Sequence, residues 1–325
     1  VATDLNDQNG ISAVYNQFGI LYMQWGKSRR SVGYYEKALR IQMKLGLKEE
    51  EAKTLMNIGI CYTNINEPEK SISTIERSMK IRESLRDEKG IARCLTNLAL
   101  SYKAMDRYQK SFETGEIALK LLEGFEMYPS IGRVLIIMGE SLLYLRQYEK
   151  AIEILQRGRD ITKKLNDTIA LGKIIQIMGM VNYEEKKWNM AIDYFNEALE
   201  QFELAEFKTA IIQVTFQTAQ VYFKIGDYTK ARNLFIKGLR FIKSSEDELS
   251  MKYTKAYILY TDAKDGMLNK TDANELLDNL GTLHGENRKE LETMAELYFI
   301  LYRIYSSSGD SKAAEDMGEK AKSYL

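Results

Sequence analysis

The sequence is poorest in the residues that interrupt helices and that do chemistry: among 325 residues there are two prolines, two cysteines and one histidine. With only Pro68 and Pro129 present, long stretches contain nothing that breaks a helix, because proline is excluded from helix interiors. The single histidine, His284, removes any His-His metal site, Ser-His triad or Cys-His pair. The chain therefore reads as a non-enzyme with no metal and no cofactor. Cys61 and Cys94 are too few for a disulfide framework and lack metal-ligand spacing, which points to a reducing, cytoplasmic setting. Charge of one sign is missing too, since 46 basic side chains cancel 46 acidic ones, so neither nucleic acid nor an anionic membrane is implied as a partner. No apolar run reaches about 18 residues, the length a membrane helix needs. The start, VATDLNDQNG, is polar where a signal peptide turns apolar, and Val1 in place of Met reads as a processed or excised chain. No linker rich in proline, glycine or serine divides the sequence, so residues 1–325 read as one array.

What the sequence has in abundance is repetition. TLMNIGICY at 54–62 returns as CLTNLALSY at 94–102. Small residues stand 40 apart at Gly19, Gly59, Ala99, Gly139, Gly179 and Ala219, and a second series runs Ala38, Ser78, Ala118, Gly158, Ala198 and Gly238. Tyr22, Tyr62, Tyr102 and Tyr222 follow the first series by three residues, and Ser31, Ser71, Ser111, Ala151, Ala191 and Ala231 precede the second by seven. Leu55, Ile58, Gly59 and Tyr62 fall at i, i+3, i+4 and i+7, which is one helix face, and Ala191, Phe195 and Ala198 do the same for a partner helix. A mid-helix glycine costs about 1 kcal/mol against alanine. Its return at one register four times therefore predicts helix axes that cross closely there.

This pattern resembles the tetratricopeptide motif, with a 40-residue period as in the arrays of kinesin light chains and many bacterial signalling proteins. The resemblance implies an all-α fold, a right-handed α-solenoid of about eight antiparallel helix pairs. Regular repeats are expected over about 11–245, a divergent repeat over about 246–285 and a terminal one over about 288–325. In the last, Tyr305, Gly309, Asp310, Ala314 and Ala321 copy Tyr222, Gly226, Asp227, Ala231 and Gly238 at an offset of 83. WGKS at 25–28 lacks the glycine and the strand of a phosphate loop and reads as the first interhelical turn.

In such arrays the first helix of each pair lines a concave groove, so the resemblance also names candidate ligand contacts. Six residues before the small series stand Lys53, Arg93, Arg133 and Lys173, a cation in four consecutive repeats. One turn later come Asn57 and Asn97, then Ile137 and Ile177, then Gln217. Lys53, Asn57, Asn97 and Arg133 match the residue types of the carboxylate clamp of co-chaperone tetratricopeptide domains, while Ile137 departs from it. Further along, Ile136, Met180, Tyr183, Phe216 and Phe223 would add apolar and aromatic groups. The expected function is a scaffold that holds a partly acidic protein or peptide segment in its groove. The alternative is a ligand-sensing segment of a larger bacterial signalling protein such as a kinase, cyclase or transcription regulator. Rap-type peptide receptors are similar arrays, whose N-terminal effector bundle is not found in this sequence. Reversing Arg93 and Arg133 to glutamate is expected to abolish binding of an acidic ligand and to leave helical content and melting almost unchanged.

Overall fold

The structure, a computed structural model, describes residues 7–242, 248–264, 271, 274 and 288–324. Those residues hold fifteen α-helices and no strand. In order these are α1 Gln8–Gln24, α2 Ser28–Leu45, α3 Lys48–Asn64, α4 Pro68–Ser84, α5 Glu88–Ala104, α6 Tyr108–Gly124, α7 Tyr128–Tyr144 and α8 Tyr148–Lys164. They continue as α9 Thr168–Glu184, α10 Trp188–Leu204, α11 Lys208–Ile225, α12 Tyr228–Ile242, α13 Glu248–Lys264, α14 Arg288–Ser307 and α15 Ser311–Ser323. The later part of the divergent repeat expected over about 246–285, with His284, lies almost wholly outside the described residues. Two compact units, Val1–Val181 and Asn182–Leu325, divide the chain within α9.

The interhelical turns explain the regularity. Left-handed backbone recurs every 20 residues, at Gly26, Gly46, Asn66, Arg86, Asp106, Glu126, Arg146, Asn166, Lys186, Glu206 and Gly226. The next residue donates its N–H back five positions, as Glu67 does to the Tyr62 carbonyl at 2.8 Å and Gln147 to that of Leu142 at 2.9 Å, which closes a Schellman-type helix end. Most helices are therefore 17 residues long, joined by three-residue turns. WGKS is such a turn, with Gly26 at φ 70°. Eight of these left-handed residues carry a side chain, at a cost of about 1–2 kcal/mol each against glycine's freedom. Arg146→Gly, at an exposed turn, is expected to raise stability by about 0.5–1 kcal/mol in denaturant unfolding, after allowing for glycine's larger unfolded-state entropy.

Within the first unit each helix from α1 to α7 packs on its successor. The small residues sit where a side chain of the partner helix crosses: a Cβ on Gly19 would lie 2.4 Å from the Tyr35 ring, on Gly59 2.4 Å from Ile75, and on Gly139 2.4 Å from Leu155. The third repeat reverses the arrangement, placing Ala99 on the first helix, Gly115 on the second, and Met138 against Gly115. Buried hydroxyls add a polar seam. Ser31 donates to the Gly19 carbonyl at 2.6 Å, Ser111 to that of Ala99 at 2.8 Å, and Ser71 meets Ser101 at 2.8 Å. From Ala151 and Val181 onward the same positions are apolar and fully buried. Cys61 and Cys94 are free thiols, both buried, and burial pushes both pKa values up.

Tyr35 is completely buried, and that burial pushes its phenol from 10.0 up to about 12. A raised acid pKa means the folded state holds the proton more tightly. The associated stability is present in full below pH 10.0 and lost as pH rises towards about 12. Tyr35→Phe should therefore flatten the loss of thermal stability over that interval.

In the second unit α10–α12 continue the pattern, α13 packs on α12, and α14 and α15 form a closing pair. Tyr305 and Asp310 repeat the arrangement of Tyr222 and Asp227: each aspartate N–H donates to the tyrosine carbonyl at 3.0 Å.

Candidate functional site

The first helices of the pairs make the inner layer of the first unit. Helices α3, α5 and α7 touch one another in series, whereas the second helices α4, α6 and α8 make no comparable contact. Elements that converge on one side of a stack lie on its concave face. Polar links cross that layer, with Thr54 donating to Asn16 at 3.1 Å, Thr63 meeting Ser101 at 3.2 Å, and Lys103 paired with Glu140.

Lys53, Arg93, Arg133 and Lys173 are all exposed along this layer. Their individual settings differ. Lys53 is paired with Glu49 at 2.7 Å on its own helix, and half-exposed pairs of that kind add little stability and yield readily to a ligand. The Arg93 side chain makes no hydrogen bond and no ion pair among the described residues, although its charge helps to hold the Asp87 carboxyl below the usual range. Arg133 donates from Nη2 to Asn97 Oδ1 at 3.0 Å. Its guanidinium is crowded by protein, and desolvation lowers its pKa although solvent still reaches the side chain.

Asn57 is half-buried, whereas Asn97 is only 5% exposed and is engaged at both ends, since Nδ2 donates to the Arg93 carbonyl at 2.9 Å. The resemblance implied ligand contact for Asn97; in the structure the Arg133 guanidinium and the Arg93 carbonyl take up the two ends of its amide. Ile137 and Ile177 are each 3% exposed, so from the fourth repeat this register turns into core. Met180 is half-buried one turn beyond Ile177. Lys103 and Glu140 were missed by sequence reasoning, although the same periodicity places both on the inner layer.

The second unit has its own inner positions. Tyr183 is half-buried with its ring 5.4 Å from Trp188, and burial raises its pKa. Phe216 is half-buried against Phe235 and Tyr257, with centroids at 5.0 and 5.4 Å. Phe223 lies between Tyr228 at 5.3 Å and Tyr260 at 4.8 Å. Both phenylalanines thus belong in part to the packing of α11, α12 and α13. Gln217 is half-buried beside them. Gln220 donates to the Tyr257 hydroxyl at 3.4 Å, which donates in turn to Glu296 at 2.8 Å. Tyr257 was overlooked because the seventh repeat loses its small-residue register, yet it stands 40 residues after Gln217.

Among the described residues no cluster of histidine, cysteine or carboxylate side chains has the makings of a metal site, and no helix is long and apolar enough to cross a membrane. Helices mostly of 17 residues, stacked in order with exposed cations along the inner layer, define a helical-repeat solenoid. Tetratricopeptide-repeat family models match residues 12–44, 50–124 and 171–244, more than half of the chain, and the chain belongs to the tetratricopeptide-repeat family. A comparison with the curated proteins found no match. Among solved structures, a Rap protein complexed with competence and sporulation factor is similar at 16% identity and TM-score 0.62, covering 96% of this chain and 97% of that one. The quorum sensor NprR in complex with its cognate peptide NprX is similar at 15% identity and TM-score 0.61, covering 95% of this chain and 86% of that one. A signal-transduction ATPase with a tetratricopeptide-repeat sensor, from Pyrococcus horikoshii, is similar at 15% identity and TM-score 0.68, covering 99% of this chain and 48% of the other. At these identities the likeness is one of fold.

Proposed function

We propose that the chain is a non-enzymatic, cytoplasmic protein- or peptide-binding module that holds an acidic segment on the inner face of its first unit. The observation that carries this reading is Arg93 and Arg133 on the adjacent inner helices α5 and α7, the first with an exposed guanidinium that makes no hydrogen bond or ion pair among the described residues and the second hydrogen-bonded to Asn97. Guanidinium groups bind carboxylates through charge-assisted, often bidentate hydrogen bonds. Neighbouring helix axes stand about 8–10 Å apart, so the two arginines suit two acidic groups on one extended or helical ligand. Lys53, Asn57, Lys173 and Met180 extend the surface on either side. Tyr183, Phe216, Gln217 and Phe223 are proposed to serve the inner face of the second unit in the same way.

The NprR and Rap structures support the reading by their fold and by what those proteins were solved with. A second reading, a ligand-sensing segment of a larger signalling protein, is favoured by the likeness to about half of the Pyrococcus horikoshii ATPase, a protein with a tetratricopeptide-repeat sensor. Affinity capture from native lysate, with the wild-type chain beside an Arg93→Gln/Arg133→Gln variant at low and moderate salt, tests the first. A partner that is lost in the variant and weakened by salt supports it. Equal capture by both chains overturns it and returns the arginines to ordinary surface.

A further inference from the structure

A cavity of about 670 Å³ opens on the closing helix pair, lined by Phe299, Tyr302, Glu315, Gly318, Glu319 and Lys322 among others. Its floor is aromatic: Phe299 and Tyr302 stack with centroids 6.0 Å apart, and they remain 45% and 37% exposed. Arg303 lies over the Phe299 ring at 4.7 Å. Among the described residues no helix covers this face.

The same face of the α11/α12 pair is covered. There α13 seats Tyr257 against Phe216 at 5.4 Å and Phe235 at 5.1 Å, and Asp262 of α13 accepts from Arg232 of α12 at 2.5 Å. The offset of 83 that relates the two pairs carries Phe216 to Phe299, Phe235 to Gly318 and Arg232 to Glu315. The closing pair therefore offers the acceptor half of an interface whose donor half is seen on α13, with two changes. Gly318 in place of a phenylalanine opens the hole, which Tyr302 fills only in part, its ring 3.5 Å from where a Cβ would stand. Glu315 in place of arginine reverses the charge, and Glu319 one turn later adds a second carboxylate; neither has an ion-pair partner among the described residues.

From this we infer that the face is a docking site for an amphipathic helix of another protein, seated as α13 is seated on α11/α12. The incoming helix places an aromatic side chain in the cavity at the position of Tyr257 and, five residues on, a lysine or arginine against Glu315 at the position of Asp262. A second copy of this chain does not meet the requirement through α1, whose residues at the corresponding register are Gln17 and Tyr22. Charge reversal at a shared register is how helical interfaces select one partner over another.

The test uses two helix-stapled peptides with the α13 sequence, ELSMKYTKAYILYTDAK, one unchanged and one carrying Asp262→Lys, titrated into the full chain by fluorescence anisotropy. The lysine peptide is expected to bind at least about tenfold more tightly than the aspartate peptide, the scale of one ion pair in a partly buried setting. A chain with Glu315→Lys and Glu319→Lys should invert that order. Filling the cavity with Gly318→Trp should weaken the lysine peptide by at least tenfold, while circular dichroism confirms an unchanged fold. No measurable binding of the lysine peptide, equal affinity for both peptides, or indifference to the charge-swapped chain would each overturn the assignment.

Discussion

Gly139→Val is expected to destabilise the chain by about 3 kcal/mol, at the upper end of what overpacking a helix contact does. A Cβ at Gly139 would lie 2.4 and 2.7 Å from Leu155 Cδ2 and Cγ. The second of these atoms is placed by rotation about the Leu155 Cα–Cβ bond, so relief requires Leu155 to change its first side-chain torsion within a packed contact or the two helices to part. Gly139→Ala turns the same geometry into a test of sign. Helix propensity alone predicts a gain of about 1 kcal/mol for alanine in mid-helix; the crossing predicts a loss. Chemical denaturation followed by circular dichroism decides between them, and a gain would show that the helices move apart at little cost. The third repeat supplies a rescue. Ala99, Gly115 and Met138 occupy the registers of Gly139, Leu155 and Met178, so Gly139→Ala combined with Leu155→Gly should cost at least about 1 kcal/mol less than the two single changes added together.

Reversing both Arg93 and Arg133 to glutamate is expected to reduce affinity for an acidic ligand by at least about 100-fold. Each charge-assisted hydrogen bond contributes roughly 1.5–3 kcal/mol, and about 1.4 kcal/mol corresponds to tenfold in affinity. The wild-type affinity should itself fall with salt, because at physiological ionic strength exposed charges are screened over about 8 Å. Stability separates the two sites. The Arg93 side chain makes no hydrogen bond or ion pair among the described residues and acts on Asp87 only through its charge, so its reversal should change unfolding by no more than about 0.5 kcal/mol. Arg133 is different from the sequence-based expectation of unchanged melting: glutamate there would face the Asn97 carbonyl oxygen, 5% exposed, with no donor, at a cost of about 1–2 kcal/mol. Arg133→Gln keeps a donor for Asn97 and removes the charge. Isothermal titration of the single and double variants should show affinity falling with charge and stability falling only where the donor is lost. Tight binding by the double reversal would remove the inner arginines from the site.

Most of the fold was legible because one signal, the 40-residue recurrence of Gly19, Gly59, Ala99 and Gly139, is enforced by packing at every copy. The half-period was less visible. Turn residues such as Arg86, Glu126 and Lys186 are not the glycines that usually mark left-handed backbone, so only their spacing gives them away. Periodicity placed Lys53, Arg93, Arg133 and Lys173 on a common exposed face, but it is blind to contacts between neighbouring copies. That is why Asn97 read as a free amide although Arg133, 36 residues away, takes its oxygen. The aromatic positions show the same limit. Phe216 and Phe223 have the register of inner residues, and their burial depends on Tyr257, which lies in the repeat where the pattern lapses.

The turns that fall at constant intervals make the molecule divisible. Arg86 and Glu126 adopt the same left-handed conformation, and each is followed by a residue whose N–H closes the preceding helix at about the same distance. Removing everything after the first up to and including the second joins Arg86 to Met127 with a matched bend, and it presents α7 to α4 in the orientation that α5 held. Length is then quantised. Duplication or loss of one repeat's worth of coding sequence preserves every bend, whereas an insertion of any other size must be absorbed by a bulge in a turn. An array of this kind changes its reach by whole modules.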